Sequence, residues 1–306
     1  MKSILSLITA IVFCTVGQAQ RVKPGLNLTM GEVYTQKTVS DIDINETING
    51  QPFIMKMSVD GTMTYKVIAV ENSTYDLEVE YKNLTMTMQL PNGTVEFSSE
   101  KDDESDIFST ILGSLKDKPF RVKMTDKGKI TEVTNIDSLF AHMFDEFPQL
   151  SADQRQQVQD QVKKAYGEKA FKGNIEMTTA IFPDGKVSEG DHWTIKTKLE
   201  AGMAAKMVSD YELKEINDST YNILGNSTIE TADKDAYIET NGMPMRYDLS
   251  GTMTSDIIVD RKSGWIITAT INQSLKGSAF IKDNPKIPGG MEIPMTMTNA
   301  MTMSDK

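Results

Sequence analysis

The sequence predicts an α+β fold dominated by antiparallel strands, with two similar curved or half-barrel-like sheet halves and a helical segment between them. Three observations predict it. Apolar and polar residues alternate with period two over much of the chain. Leu84, Met86, Met88 and Leu90 share one face, and Thr85, Thr87 and Gln89 the other, as in a strand with one buried side. In the middle of the chain the apolar spacing changes to three and four, through Ile136, Leu139, Phe140, Met143, Phe144 and Phe147, which is one face of a helix. Finally, the phrase GEVYTQKT at 31–38 returns as GDHWTIKT at 190–197, which points to one architecture used twice.

Taken in order, residues 1–19 read as a signal peptide. Lys2 precedes an apolar run from Ile4 to Val16, and Gly17 and Ala19 suit a cleavage site. That run is too short for a membrane-spanning helix, and no later segment is longer. Residues 20–135 form the predicted N-terminal β half, with strands at 32–46, 52–59, 62–71, 74–82, 84–90, 119–125 and 129–134. A short helix near 103–115 follows an acidic first turn that suits the helix dipole. Residues 136–172 form a helical connector. Its first helix has Asn135 available as cap and ends at Pro148, and a second starts with the capping-box pattern Ser151 and Gln154 and runs to about Phe171. Residues 173–306 form the C-terminal β half. Its strands are predicted at 175–181, 192–200, 205–216, 220–230, 235–248, 252–260, 265–281 and 291–303.

The repetition extends beyond one phrase. Tyr65 is followed ten residues later by Tyr75, and Tyr211 ten residues later by Tyr221. The stretch at 121–139 matches 256–275, each with a glycine turn, Gly128 or Gly264. The simplest account is an internal duplication with halves of about 25–135 and 187–303. INGQPFIMKMSVDGTMT at 48–64 also resembles TNGMPMRYDLSGTMT at 240–254, but it precedes the tyrosine pair in one half and follows it in the other. Either the halves are rearranged, or Asn-Gly and Gly-Thr-Met-Thr are hairpin chemistry used twice.

Composition excludes several classes of function. The net charge is −11 and no basic run occurs, which argues against nucleic acid and against anionic lipid surfaces. Cys14 is the only cysteine and lies inside the signal, so the exported chain has no disulfide, thiol nucleophile or thiolate metal site. The two histidines, His142 and His192, read as surface residues without an accompanying nucleophile. No hydrolase elbow, zinc-protease or nucleotide-loop motif is present. The acidic string Asp41, Asp43, Asn45, Glu46 lacks the glycine and glutamate of a calcium loop and reads as one solvated strand face. No catalytic residue, metal ligand or cofactor is expected.

Methionine is the unusual feature, with 20 residues and Met-x-Met at 55–57, 86–88, 243–245, 295–297 and 301–303. In a strand this spacing puts both thioethers on one side. Such a side can be ordinary core, the wall of an adaptable apolar cavity, or a soft site for Cu(I). The candidate ligand-binding residues are therefore Phe140, Met143, Phe144 and Phe147 from the helix, with Met86, Met88, Met295 and Met297 from the strands.

A leader ending in GQAQ, LPNGTVEFSSEKDDESDIFSTILGSL, KAYGEKAFKGNIEMTTAIFPDGKVSEGDHWTIKTKL, GNSTIETADKDAYIETNGMPMRYDLSGTMTS and the Met-rich tail resemble a family of secreted Bacteroidota proteins known only as a domain of unknown function. The resemblance spans nearly the whole chain after the signal. It implies a periplasmic, outer-membrane-associated or secreted setting in a bacterium and supplies no catalytic residue. The architecture is also similar to lipoprotein-carrier half-barrels, antiparallel sheets curved around apolar helices. The expected function is non-enzymatic binding of an apolar small molecule or lipid in the cell envelope. The alternatives are a solid-core structural or protein-interaction module with an envelope protein as partner, and Met-based Cu(I) binding.

Overall fold

The computed structural model describes residues 21–101, 106–141, 156, 159, 160, 163, 167–201, 203–240 and 242–306. The predicted signal peptide with Cys14, and His142, Met143, Phe144, Phe147, Ser151 and Gln154, lie outside these residues. Among the described residues, thirteen strands form one open sheet. They are β1 (Val33–Ile48), β2 (Gln51–Glu71), β3 (Thr74–Leu90), β4 (Gly93–Ser98), β5 (Phe120–Thr125), β6 (Ile130–Thr134), β7 (His192–Ala201), β8 (Met203–Ile216), β9 (Thr220–Thr231), β10 (Ile238–Thr240), β11 (Met243–Asp260), β12 (Ile266–Ile281) and β13 (Met291–Ser304). The helices are α1 (Ile107–Leu115), α2 (Ile136–Ala141) and α3 (Glu168–Thr179). The strand order is β6-β5-β3-β2-β1-β13-β12-β11-β9-β8-β7, with β4 beside β3 and β10 beside β11. Every pairing between these strands is antiparallel.

The strands are longer than their sequence signals suggest. The predicted breaks before Thr62 and Thr252 do not occur, because Gly61 and Gly251 sit inside continuous β2 and β11. At Gly251 a Cβ would come 1.9 Å from the Ser274 carbonyl oxygen, so the glycine marks a close approach of strands, not a turn. Asn-Gly behaves as expected: Asn49 and Gly50 both have positive φ between β1 and β2, as a tight hairpin turn demands. Asn135 has φ 69, outside the extended region of an N-cap, and it is the Asn135 carbonyl that accepts from the Ser138 hydroxyl at 2.7 Å. The short strand β4 has no counterpart among the predicted strands.

The strand predicted at 175–181 is instead the second half of α3 and the chain leaving it. Alternation loses here to tertiary contacts. Glu176 and Thr179 are three residues apart, so a helix puts them on one side. There the Glu176 carboxylate accepts the Ile130 N–H at 2.7 Å and the Thr179 hydroxyl donates to the Gly128 carbonyl at 2.8 Å. The phenyl ring of Phe171 also stands edge-on to Phe120 of β5 at 5.0 Å.

Helix α3 packs against both β6 and β7, the two ends of the strand order. The sheet therefore curves until its two edges meet one helix. On the β7 side, Gly173 permits close contact: a Cβ there would lie 3.0 Å from the Glu200 amide nitrogen. An edge strand presents unpaired backbone groups, and covering it satisfies them and blocks further pairing. The segment at 21–29 adds a strap across one end. Leu26 N–H donates to the Asp126 carbonyl, Asn27 N–H to the Ser263 carbonyl, and Val22 bridges to Val187. The Tyr75 hydroxyl donates to the Leu26 carbonyl at 2.8 Å. This strap ties the β5–β6 turn to the β11–β12 turn. Leu77, Phe120 and Val122 consequently share one buried cluster with Leu213, Ile223 and Val259.

The repeated phrases occupy comparable surroundings. Gly31 and Gly190 have φ of 85 and 80, and their N–H groups donate to the carbonyls of Val67 in β2 and Leu213 in β8. Tyr34 stands opposite Tyr65, and Trp193 opposite Tyr211. Each of β2 and β8 shifts register next to the accepting residue, between Val67 and Ala69 and between Leu213 and Glu215.

Two outcomes are expected. Glu176→Ala leaves the buried Ile130 N–H without its acceptor and lowers stability by about 1–3 kcal/mol. Urea unfolding measures the loss, and amide exchange at Ile130 should speed up, whereas Glu176→Gln should stay near the native value. At α1, Asp106 accepts from the Ser109 amide and hydroxyl and pairs with Lys101 at 2.8 Å. The Lys101 ammonium, with the Ser109 donors, holds the Asp106 carboxyl at about 2, below its ordinary 3.8. The unfolded chain binds that proton more readily, so the contribution is complete above the ordinary value and is lost as pH falls towards about 2. Asp106→Ala should cost about 1 kcal/mol at neutral pH, and Asp106→Asn should keep the cap but flatten the acid limb of stability against pH.

Candidate functional site

The antiparallel register assigns every strand residue to the inner, core-facing side or to the outer side. Tyr65 is buried on the inner side, and stepping by two from its partners traces the inner face along the strands. Met86, Val59, Ser40, Met301 and Ile271 stand side by side across β3, β2, β1, β13 and β12. The next row is Met88, Met57, Ile42, Asn299 and Gln273, followed by Met55, Ile44, Met297 and Leu275, and then Phe53, Glu46, Met295 and Gly277. The outer face opposite them carries Thr87, Ser58, Asp41, Gln89, Lys56, Asp43 and Thr298, with Lys56 3.6 Å from Asp43. Sequence alternation thus becomes a methionine-rich face backed by a polar one.

Burial divides the inner face. Towards α3 and the strap it is dry: Val67, Leu77, Val79 and Phe120 are fully buried. Towards the β1–β2 hairpin, Ile42, Ile44, Met55, Met57, Met86 and Met88 are only half-buried, and none of them belongs to either buried cluster of the described residues. Of the four strand methionines singled out from the sequence, Met86 and Met88 lie in this stripe. Met297 packs at the border of the main cluster, and Met295 against a smaller one built on Ala279, Ile281 and Ile293. Phe140 lies in α2, and its side chain is not among those described. Met143, Phe144 and Phe147 fall outside the described residues, so the helix and strand candidates are not brought together here. Ile42, Ile44, Met55 and Met57 complete the face. Their signal was present as alternation and as a Met-x-Met pair, but only the register shows that they abut Met88 and Met297.

A second feature had no sequence signal. The β1–β13 ladder ends at Glu46 and Met295, and beyond it a recess of about 700 Å³ opens between the β1–β2 hairpin and the ends of β11, β12 and β13. Its lining includes Asn45, Glu46, Lys276, Gly277, Pro294 and Met295.

Polar groups on the inner side are largely satisfied within the protein. The Ser40 hydroxyl donates to Asn299 Oδ1 at 2.7 Å, Gln36 Nε2 to the Ser304 carbonyl at 2.8 Å, and Ser227 Oγ to Ser209 Oγ at 2.7 Å. Burial pushes the Tyr65 and Tyr211 hydroxyls well above the ordinary tyrosine range, so both are neutral packing groups. His192 is exposed, with Nδ1 3.0 Å from Asp210. In the acidic string, Asp41, Asp43 and Asn45 lie on the outer face and Glu46 on the inner one, so the string is a strand and not a loop around an ion. Among the described residues no group of three or more His, Cys, Asp or Glu is placed to hold a metal, and no helix is long and apolar enough to cross a membrane.

Solved structures with comparable strand arrangements are remote. A structure concerned with lipid-protein interactions in lipovitellin matches at 8% identity and a TM-score of 0.45, covering 92% of this chain but 25% of that one. An outer membrane channel from Pseudomonas putida F1 matches at 9% identity and 0.25, covering 92% and 99%. The beta domain of the Bordetella autotransporter BrkA matches at 6% and 0.21, covering 89% and 100%. The chain thus spans about a quarter of the lipovitellin chain, and at these scores none of the three carries an argument about function. No curated protein sequence matches. A family model does match, over residues 72–266, a span that takes in β3 through β11. On that match the chain belongs to DUF6263, a family of unknown function.

Proposed function

We propose that this protein acts by binding and not by catalysis, and that its ligand is an apolar or lipid-like molecule held on the methionine face of β3, β2, β1 and β13. The observation that carries the reading is the half-buried stripe of Ile42, Ile44, Met55, Met57, Met86 and Met88. A sheet with a dry core gains nothing from leaving six large apolar side chains half in water, since burying each is worth about 1.5–3 kcal/mol. Methionine suits a wall that must adapt to a flexible chain, because its thioether stem has three rotatable bonds and a polarisable sulfur. Export by the predicted signal peptide sets the site of action in the cell envelope, periplasmic, outer-membrane-associated or secreted. The glycine turns at Gly31 and Gly190 and the pairs Tyr34–Tyr65 and Trp193–Tyr211, placed alike within each half, support a duplicated origin for the two halves.

A second reading is favoured by the dry cluster that unites both halves. In it the protein is a structural or interaction module of the envelope, and an envelope protein covers the methionine stripe. Cu(I) binding by the Met-x-Met pairs has less support, since no histidine or cysteine adjoins the stripe among the described residues.

Delipidated protein should enhance the fluorescence of N-phenyl-1-naphthylamine, a neutral apolar probe, and fatty acids should displace it. Met57→Glu puts a carboxylate in the stripe and should weaken probe binding by about tenfold or more, whereas Thr87→Glu, on the outer face, should leave it unchanged. Circular dichroism verifies that both variants fold. Absence of probe binding by the native protein, together with capture of a defined envelope protein by crosslinking, would replace this reading with the second one.

A further inference from the structure

We propose that Met55, Met57, Met86 and Met88 form a peroxide-sensitive release switch, in which oxidation of their thioethers to sulfoxides expels the apolar ligand and leaves the fold intact. The inference rests on the binding reading above and adds the regulation of that face.

Packing sorts the methionines. Met124, Met207, Met253 and Met303 are buried in the main cluster, and all but five of the other described methionines pack against one of the two clusters. The five are Met30, 69% exposed in the turn before β1, and the four of the stripe. Strand β2 shows the contrast within one element. Met63 packs against the main cluster, and its sulfur accepts from the Tyr65 hydroxyl at 3.8 Å. Met55 and Met57, nearer the β1–β2 hairpin, are half-buried and belong to neither cluster. Oxidation of methionine follows the access of its sulfur to solvent, so a small neutral oxidant reaches the stripe and spares the core.

The four sulfurs sit on two adjacent strands. Met57 stands directly opposite Met88, and Met55 and Met86 each lie two residues further along the same face. Their other cross-strand neighbours on that face are Ile44, Ile42, Val59, Phe97 and Val95, none of which carries a side-chain donor. Hydrogen peroxide gives one oxygen atom to each sulfur. The sulfur lone pair attacks, the S–O bond forms as the O–O bond breaks, and a proton passes from the transferred oxygen to the departing one. The thioether is thereby oxidised to sulfoxide, and the peroxide is reduced to water. A sulfoxide is polar where the thioether was apolar. Among these neighbours its oxygen finds no donor, so it holds water in the place where an apolar chain would lie.

The test treats the delipidated full chain with hydrogen peroxide and maps each methionine by peptide mass spectrometry. Affinity for N-phenyl-1-naphthylamine and circular dichroism are measured on the same samples. Met30 and the four stripe methionines should oxidise about tenfold faster, or more, than Met124, Met207 and Met253. Probe affinity should fall about tenfold or more as the four convert, with the strand signal unchanged, and methionine sulfoxide reductases should restore it. Met30→Leu should bind the probe as the native protein does and keep its sensitivity to peroxide. A variant combining Met55→Leu, Met57→Leu, Met86→Leu and Met88→Leu, compared with itself before and after peroxide, should show no loss, whatever its starting affinity. If that variant misfolds, the native time course decides, because loss of affinity must track the stripe methionines and not Met30. Probe affinity that survives complete oxidation of the four would overturn the switch and leave the binding reading standing. Oxidation of the buried methionines as fast as the stripe, or an equal loss in the combined variant, would overturn it as well. Failure of the untreated native protein to bind the probe would overturn the binding reading, and the switch with it, before any oxidant is added.

Discussion

The contact on which the rest of this structure depends is the packing of α3 against β6 and β7. Long antiparallel strands make a wide sheet with two unpaired edges, and each edge carries backbone donors and acceptors that need partners. One helix serves both. The Glu176 carboxylate and Thr179 hydroxyl meet the β5–β6 hairpin on one side, and Gly173 lets the helix lie close against the β7 backbone on the other. With the edges held to one helix, the inner faces of the first and last strands share a single hydrophobic cluster, and the strap through Leu26 and Asn27 joins the same two regions at their turns.

Curvature with one filled end explains why the inner face is not uniform. Near α3 the face is packed by aromatic and branched side chains, and bulky groups such as Phe120 and Phe171 interlock. Further along the same strands the branched residues give way to methionine, and burial drops from complete to partial. Two of the polar residues admitted to this face, Ser40 and Asn299, satisfy one another across the β1–β13 pair, which spares each the cost of an unpaired buried group. The outer face needs no such arrangement because water serves its threonines and charges.

Much of the fold could be read from residue pattern. Alternation placed β1, β3, β5, β6, β7, β8, β9, β12 and β13 close to their observed ranges, and Asn49-Gly50, Gly128 and Gly264 were turns as expected. The errors have physical causes. Of the two accounts of Gly-Thr-Met-Thr, hairpin chemistry does not hold, because Gly61 and Gly251 lie inside continuous strands, and Gly251 allows a close approach to the Ser274 carbonyl; a glycine has the same signature in either role. Ile175 to Ile181 alternates like a strand, but Glu176 and Thr179 find their partners only when three residues apart on a helix. Of the candidate site, the strand methionines were legible because they alternate. Their neighbours on β1 and β2 were less so, because adjacency across a sheet depends on register, which no local pattern contains.

The sequence by itself determined the strand faces, the antiparallel character and the turns at Asn49-Gly50, Gly128 and Gly264, since each follows from residue type and spacing within a few positions. Only the tertiary structure decided that all the strands join one sheet, that α3 holds both its ends, and that the β1–β13 ladder stops at Glu46 and Met295. Those outcomes depend on pairings between residues as far apart as Glu46 and Met295, where the geometry of the closed chain, and not local preference, selects the partner.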